Sequence, residues 1–131
     1  MREFRALASE TPSSERNREL FVFHYGHQLN AAHPKLSALR DAVALAKSIA
    51  ERVLLYVTPV NVDAAARYAG QALSEIMRLN IDVLRSNVPL SIIDWHDALP
   101  DTAFFHGDIA TEHLNETGRA NLARRIVNAH A

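Results

Sequence analysis

The sequence predicts a three-layer α/β/α fold on a small parallel sheet, with about three strands plus helices. Three observations carry this. Short apolar runs alternate with segments of helical periodicity, each run stops at a glycine, a proline or a polar cluster, and the strand–helix order repeats three times. Parallel strands joined by helical crossovers follow from that order.

Residues 1–19 form a polar N-terminal segment. In it Phe4 and Leu7 can anchor a short helix, and TPSSERN reads as a loop. Residues 20–131 form a single α/β domain. LFVFHYG, residues 20–26, is almost continuously apolar and ends in glycine, which reads as a strand buried on both faces. Pro34 suits a first helical turn, and Leu36, Leu39, Val43, Ala46, Ile49 and Ala50 then recur at helical spacing. VLLYVTPV, 53–60, is a second buried strand, stopped by Pro59. Asp63 is expected to cap a long helix with Ala65, Ala69, Ala72, Leu73, Ile76 and Val83 or Leu84 on one side. PLSIIDW, 89–95, is the third strand. Asn115 is the expected N-cap of the last helix, whose apolar stripe is Leu122, Ala123, Ile126 and Val127.

Composition narrows the function classes. A chain of 131 residues, 48% hydrophobic, can bury a real core. Its net charge of −1 offers no footprint for nucleic acid. It has no cysteine, so disulfides and thiolate metal sites are excluded. Residues 1–20 contain no apolar h-region, so no signal peptide is expected, and no run approaches a membrane span. The compartment is not fixed by any of this.

In parallel α/β sheets ligands bind beyond the carboxyl ends of the strands. Those ends present Gly26, His27 and Gln28, then Thr58, Pro59 and Asn61, then Asp94, His96 and Asp97. The loop carrying Asp108, Glu112 and His113 is expected to close over the same edge. Asp94 and Asp97 are expected to bond loop amides.

The order strand–GHQL, strand–TPVN, strand–DWHDAL and then D…EHLNETGRANLA resembles the later part of the SGNH (GDSL-like) hydrolases, over roughly residues 20–130. HLNETGRANLARRI is similar to that family's final block: a catalytic histidine, a capping asparagine, a first-turn glycine and small apolar residues. The resemblance implies a flavodoxin-like or SGNH-like fold. It also implies ester hydrolysis or acyl transfer on an acylated carbohydrate-type substrate, with no cofactor. It makes His113 the general base and Asp108 or Glu112 its orienting acid. Gly26 and Gln28 stand where the family has its oxyanion donors, with Asn61 at the next strand end.

The sequence departs from that pattern. It contains no Gly-Asp-Ser, no counterpart of the second block, and Ala110 where the acid usually stands three residues before the histidine. Ser9, Ser13 and Ser14 lie in the polar segment; Ser37, Ser48 and Ser74 lie on expected helices. Ser86 ends a helix, and Ser91 begins a strand at the wrong edge. This chain alone is therefore expected to be inactive. The alternative is a non-catalytic α/β interaction or assembly domain, in which His113 is a loop residue that helps cap the last helix. Seven histidines raise a further possibility. His24, His27 and His33, approached by His96, His106 or His113 and joined by Asp94 or Asp108, have the chemistry of a zinc site. Their spacing matches no zinc motif, and no metal is expected. Four glycines form no phosphate-cradling loop. Finally, an apolar first strand exposes one edge. A homo-oligomer or hetero-complex through that edge is expected unless residues 1–19 cover it.

Overall fold

The computed structural model describes residues 13–130. Its elements are α1 (Ser13–Tyr25), α2 (Pro34–Ile49), β1 (Leu55–Val57), α3 (Val62–Asn87), β2 (Ile92–Asp94), a single 3-10 turn at Asp101–Ala103, and α4 (Glu116–His130). β1 and β2 pair in parallel, Leu55 opposite Ile92, Tyr56 opposite Ile93 and Val57 opposite Asp94. Among the described residues the fold is thus a small α/β arrangement of four helices and a two-stranded sheet. The expected short helix around Phe4 and Leu7 lies outside the described residues.

The expected first strand is not a strand. Residues 20–25 are the second half of α1, which begins at Ser13, crosses the boundary between residues 19 and 20, and includes most of the TPSSERN loop. The reason is visible in burial. Asn17 and Phe21 are buried and Tyr25 is half-buried, at spacings of four, whereas Phe23 is 68% exposed. That is the period of a helix with one inward face. The argument for assembly through a strand edge at residues 20–26 loses its basis with it. The other two strands are shorter than expected, three residues each.

α2 begins at Pro34, as expected, and ends one residue before Ala50. Leu36 and Val43 face inward, while Ile49 is 79% exposed and Ala50 lies beyond the helix as its C-cap. α3 is capped by Asn61, not Asp63: the Asn61 Oδ1 accepts the Ala64 N–H at 3.2 Å. Asp63 instead accepts the Asp101 N–H through Oδ2 at 3.0 Å, tying the first turn of α3 to the 3-10 turn. α4 is capped as expected, with the Gly118 N–H donating to Asn115 Oδ1 at 3.0 Å. Its expected apolar stripe is only half-buried at Leu122 and Ile126, and Val127 is exposed.

α3 packs on α1, α2, β2 and the 3-10 turn, so it organises the core. Its inward residues serve two clusters. Ala64, Ala65, Leu73 and Met77 pack with Phe21 of α1 and with Val60. Farther along, Val83 and Leu84 join Leu36, Val43, Val88 and Ile92 around the sheet. A third cluster, Leu99, Ala103, Phe104 and Leu114, lies under α4.

The stripe on α3 changes direction at Gly70, whose φ of +73° and ψ of −170° interrupt the helix. Only glycine adopts that conformation readily, and a residue with a Cβ is strained there by about 1–3 kcal/mol. An added Cβ at Gly70 meets no atom within 4 Å, so the cost is conformational and not steric. Gly70→Ala is expected to lower the stability measured by urea unfolding by about 1–3 kcal/mol.

Candidate functional site

A cavity of about 600 Å³ opens at the carboxyl ends of β1 and β2. That is the size of an ordinary small-molecule site, roughly 300–1,000 Å³. Val57, Val60, Met77, Ile81 and Leu84 form most of its apolar wall. Basic and imidazole groups come from the last turn of α1, the stretch after it, the first turn of α2 and the end of β2: His24, His27, His33, Lys35 and His96.

The stretch after α1 is fixed by Asn80 on α3. Its Oδ1 accepts the Leu29 N–H and its Nδ2 donates to the His27 carbonyl, both at 2.7 Å. One side chain thus holds the backbone that carries His27 and Leu29. His33 caps α2, its Nδ1 accepting the Lys35 N–H at 3.1 Å. A neutral ring that accepts at Nδ1 carries its proton on Nε2, so His33 is a hydrogen-bond donor through that nitrogen.

His96 has the opposite polarity. Its Nδ1 lies 2.7 Å from Asp94 Oδ1, at the end of β2, and the same oxygen accepts the His96 backbone N–H at 3.0 Å. The carboxylate holds the ring proton on Nδ1, which leaves the Nε2 lone pair free as a base. Asp94 does bond a loop amide, as expected, and it orients a ring as well. The His96 carbonyl also accepts the Val60 N–H at 2.9 Å, which locks the couple to the end of β1.

Tyr25 supplies the remaining polar group. Its hydroxyl is buried and has no hydrogen-bond partner among the described residues. Burial, then the negative charge of the Glu112 carboxylate and its hydrogen-bonding proximity to the hydroxyl, push the phenol above its ordinary value near 10. The Glu112 carboxylate is near the hydroxyl but not in a geometry that makes a formed hydrogen bond.

The residues singled out from the sequence are only partly brought together. Glu112 reaches the cavity wall. His113 is exposed and does not line it; its N–H donates to Thr111 Oγ1 at 2.9 Å and its carbonyl accepts the Phe105 N–H at 2.8 Å. The His113 ring makes no ion pair with Asp108 or Glu112 among the described residues. Asp108 and Gln28 are exposed and stand outside the cavity wall. Gly26 follows the last turn of α1, its N–H donating to the Val22 carbonyl at 2.8 Å. Asn61 is fully buried, and both ends of its amide are engaged, Oδ1 by Ala64 and Nδ2 by the Gly107 carbonyl at 3.0 Å. Among the described residues no group of histidines and carboxylates is placed to hold a metal ion.

Comparison of the chain with family models, curated proteins and solved structures gave no match. The arrangement of side chains is what a functional reading rests on.

The HLNETGRANLARRI stretch has a packing role whatever its chemistry. Leu114 is buried and pairs its backbone with Phe104. Asn115 Nδ2 donates to the Thr102 carbonyl at 2.7 Å and to that of Phe104 at 3.3 Å. A Cβ at Gly118 would collide with the Ala103 carbonyl. The sequence signal missed at the site itself is Asp-x-His directly after a strand. A turn there brings residues two apart into ring-to-carboxylate contact.

Two outcomes follow. Asn115→Ala removes a cap and two carbonyl partners, and is expected to cost about 2 kcal/mol in thermal or urea unfolding. The raised phenol of Tyr25 stays protonated in the folded chain while the unfolded chain ionises. Its contribution is therefore intact below pH about 10 and is lost as pH rises beyond that value. Tyr25→Phe is expected to flatten the fall in urea midpoint above about pH 10.

Proposed function

We propose that this chain is a small-molecule-binding α/β domain in which His96, oriented by Asp94, is the acid–base group. The reaction it serves is ester hydrolysis or acyl transfer, on an acylated substrate of the kind implied by the SGNH-like stretches. The observation that carries this reading is the 2.7 Å contact of His96 Nδ1 with Asp94 Oδ1 on the wall of the cavity. A base held in one tautomer by a carboxylate takes a proton from water or a hydroxyl through its other nitrogen. In this assignment His96 replaces His113 as the base.

The expected layering belongs to the same reading. Leu55, Val57 and Ile92 share a cluster with α2 and α3, which supports helices on one face of the sheet. Two contacts support α4 running along the other. Asn115, ahead of its first turn, donates to the Ala103 carbonyl beyond the strand ends, and the His130 carbonyl in its last turn accepts from Arg52, ahead of β1.

One observation favours a second reading, a non-catalytic binding domain: among the described residues no serine lines the cavity, and its hydroxyls are those of Thr58 and Tyr25. With those lining residues, water is the nucleophile in the hydrolytic reading, and a serine-borne acyl group needs a serine brought to the cavity from elsewhere.

Hydrolysis of 4-nitrophenyl esters separates the two. His96→Ala is expected to lower the rate about 100-fold, and Asp94→Asn by a smaller factor, with His113→Ala near wild type. A fluorophosphonate probe is expected to label no serine. A rate that His96→Ala leaves unchanged establishes the non-catalytic reading. Loss of activity in His113→Ala returns the base to that residue.

A further inference from the structure

We propose that the cavity is an acyl-chain site: it takes a linear aliphatic chain ending in a carboxylate or ester carbonyl, and Tyr25 donates to the oxygen of that head. The inference deepens the reading of the cavity as a substrate site and rests on it.

The apolar wall selects the chain. Val57 and Val60 at the end of β1 face the same space as Met77, Ile81 and Leu84, one side of α3 over two turns. An elongated apolar surface of this kind matches a flexible aliphatic chain, and Met77 adapts to its shape.

The polar groups select the head. The Tyr25 hydroxyl is buried with no formed hydrogen bond among the described residues, and Glu112 is near it without completing one, which is unfavourable until an acceptor is well placed for it. His33 offers an Nε2–H, because its Nδ1 is taken by the Lys35 amide. Lys35 adds a positive charge at the same wall. Asn80 is largely committed, its Oδ1 and one Nδ2–H holding the backbone at Leu29 and His27. Tyr25, His33 and Lys35 therefore address the ligand as donors, beside the Thr58 hydroxyl and the His24 and His27 rings on the same wall. Against them stands one carboxylate, Glu112. A head rich in acceptors satisfies the donors, whereas an amine head satisfies only Glu112.

Calorimetric titration of the intact chain with hexanoate, octanoate, decanoate and octylamine, each below its micellar concentration, tests this. Each added methylene is expected to tighten carboxylate binding about fourfold. Octanoate is expected to bind more tightly than octylamine. Tyr25→Phe is expected to weaken octanoate about fivefold without changing the increment per methylene. Lys35→Ala, at an exposed position, is expected to weaken octanoate and strengthen octylamine. A flat chain-length series, octylamine binding as tightly as octanoate, or no heat with any of the four overturns the acyl site. These measurements involve no turnover. Octanoate binding with ester hydrolysis unaffected by His96→Ala sinks the reaction and keeps the site. Hydrolysis that needs His96, with no chain-length dependence, does the reverse.

Discussion

The Asn61 carboxamide is fully buried and joins three parts of the chain at one point. Its Oδ1 caps α3, its Nδ2 holds the Gly107 carbonyl in the long loop before α4, and its own carbonyl accepts the Ala65 N–H. One residue earlier, the Val60 N–H donates to the His96 carbonyl. The end of β1, the start of α3, the turn after β2 and the final loop are thus held by adjacent hydrogen bonds. A buried amide is costly unless every polar atom is satisfied, and here the satisfied network defines one geometry. His96 takes its position from it.

From there the cavity follows by packing. α3 is long enough for its first half to pack on α1 and its second half on the sheet, and the space between the two clusters is left open. Asn80 stands in that interval and draws the chain after α1 across it. The His27 imidazole on the wall is thus carried on backbone that α3 itself fixes. Local conformation, core packing and site chemistry are coupled through one helix.

Much of this was legible in the sequence. α2, most of α3, the parallel pairing of the two later strands and the Asn115 cap follow from period, capping chemistry and element order. LFVFHYG did not, because a short apolar run rich in aromatic residues has no period of its own. The decisive residue, Asn17, lies upstream and is polar, and only burial shows that it shares a face with Phe21 and Tyr25. At the site, the strand ends carrying Thr58, His96 and Asp94 were legible, since topology alone directs them to one edge. The Asp94–His96 contact was not, because a pair two residues apart touches only where the chain turns. His113 drew attention through neighbours that have structural reasons to be there. Leu114, Asn115 and Gly118 seat the last helix on the 3-10 turn.

The three apolar clusters share no buried residue. Cooperativity depends on shared contacts, so segments resting on separate small cores open with separate free energies. The unit formed by α4, Leu114 and the 3-10 turn rests on the Leu99 cluster, and most of its helix is exposed. α4 has one buried residue, Gly118, against two or more in each of the other described α-helices, so its amides are expected to exchange ahead of those in α3. Glu112 lies two residues from Leu114, on the same stretch. Opening of this unit would therefore loosen the Glu112 side of the cavity, while the Asp94–His96 couple is anchored on the sheet.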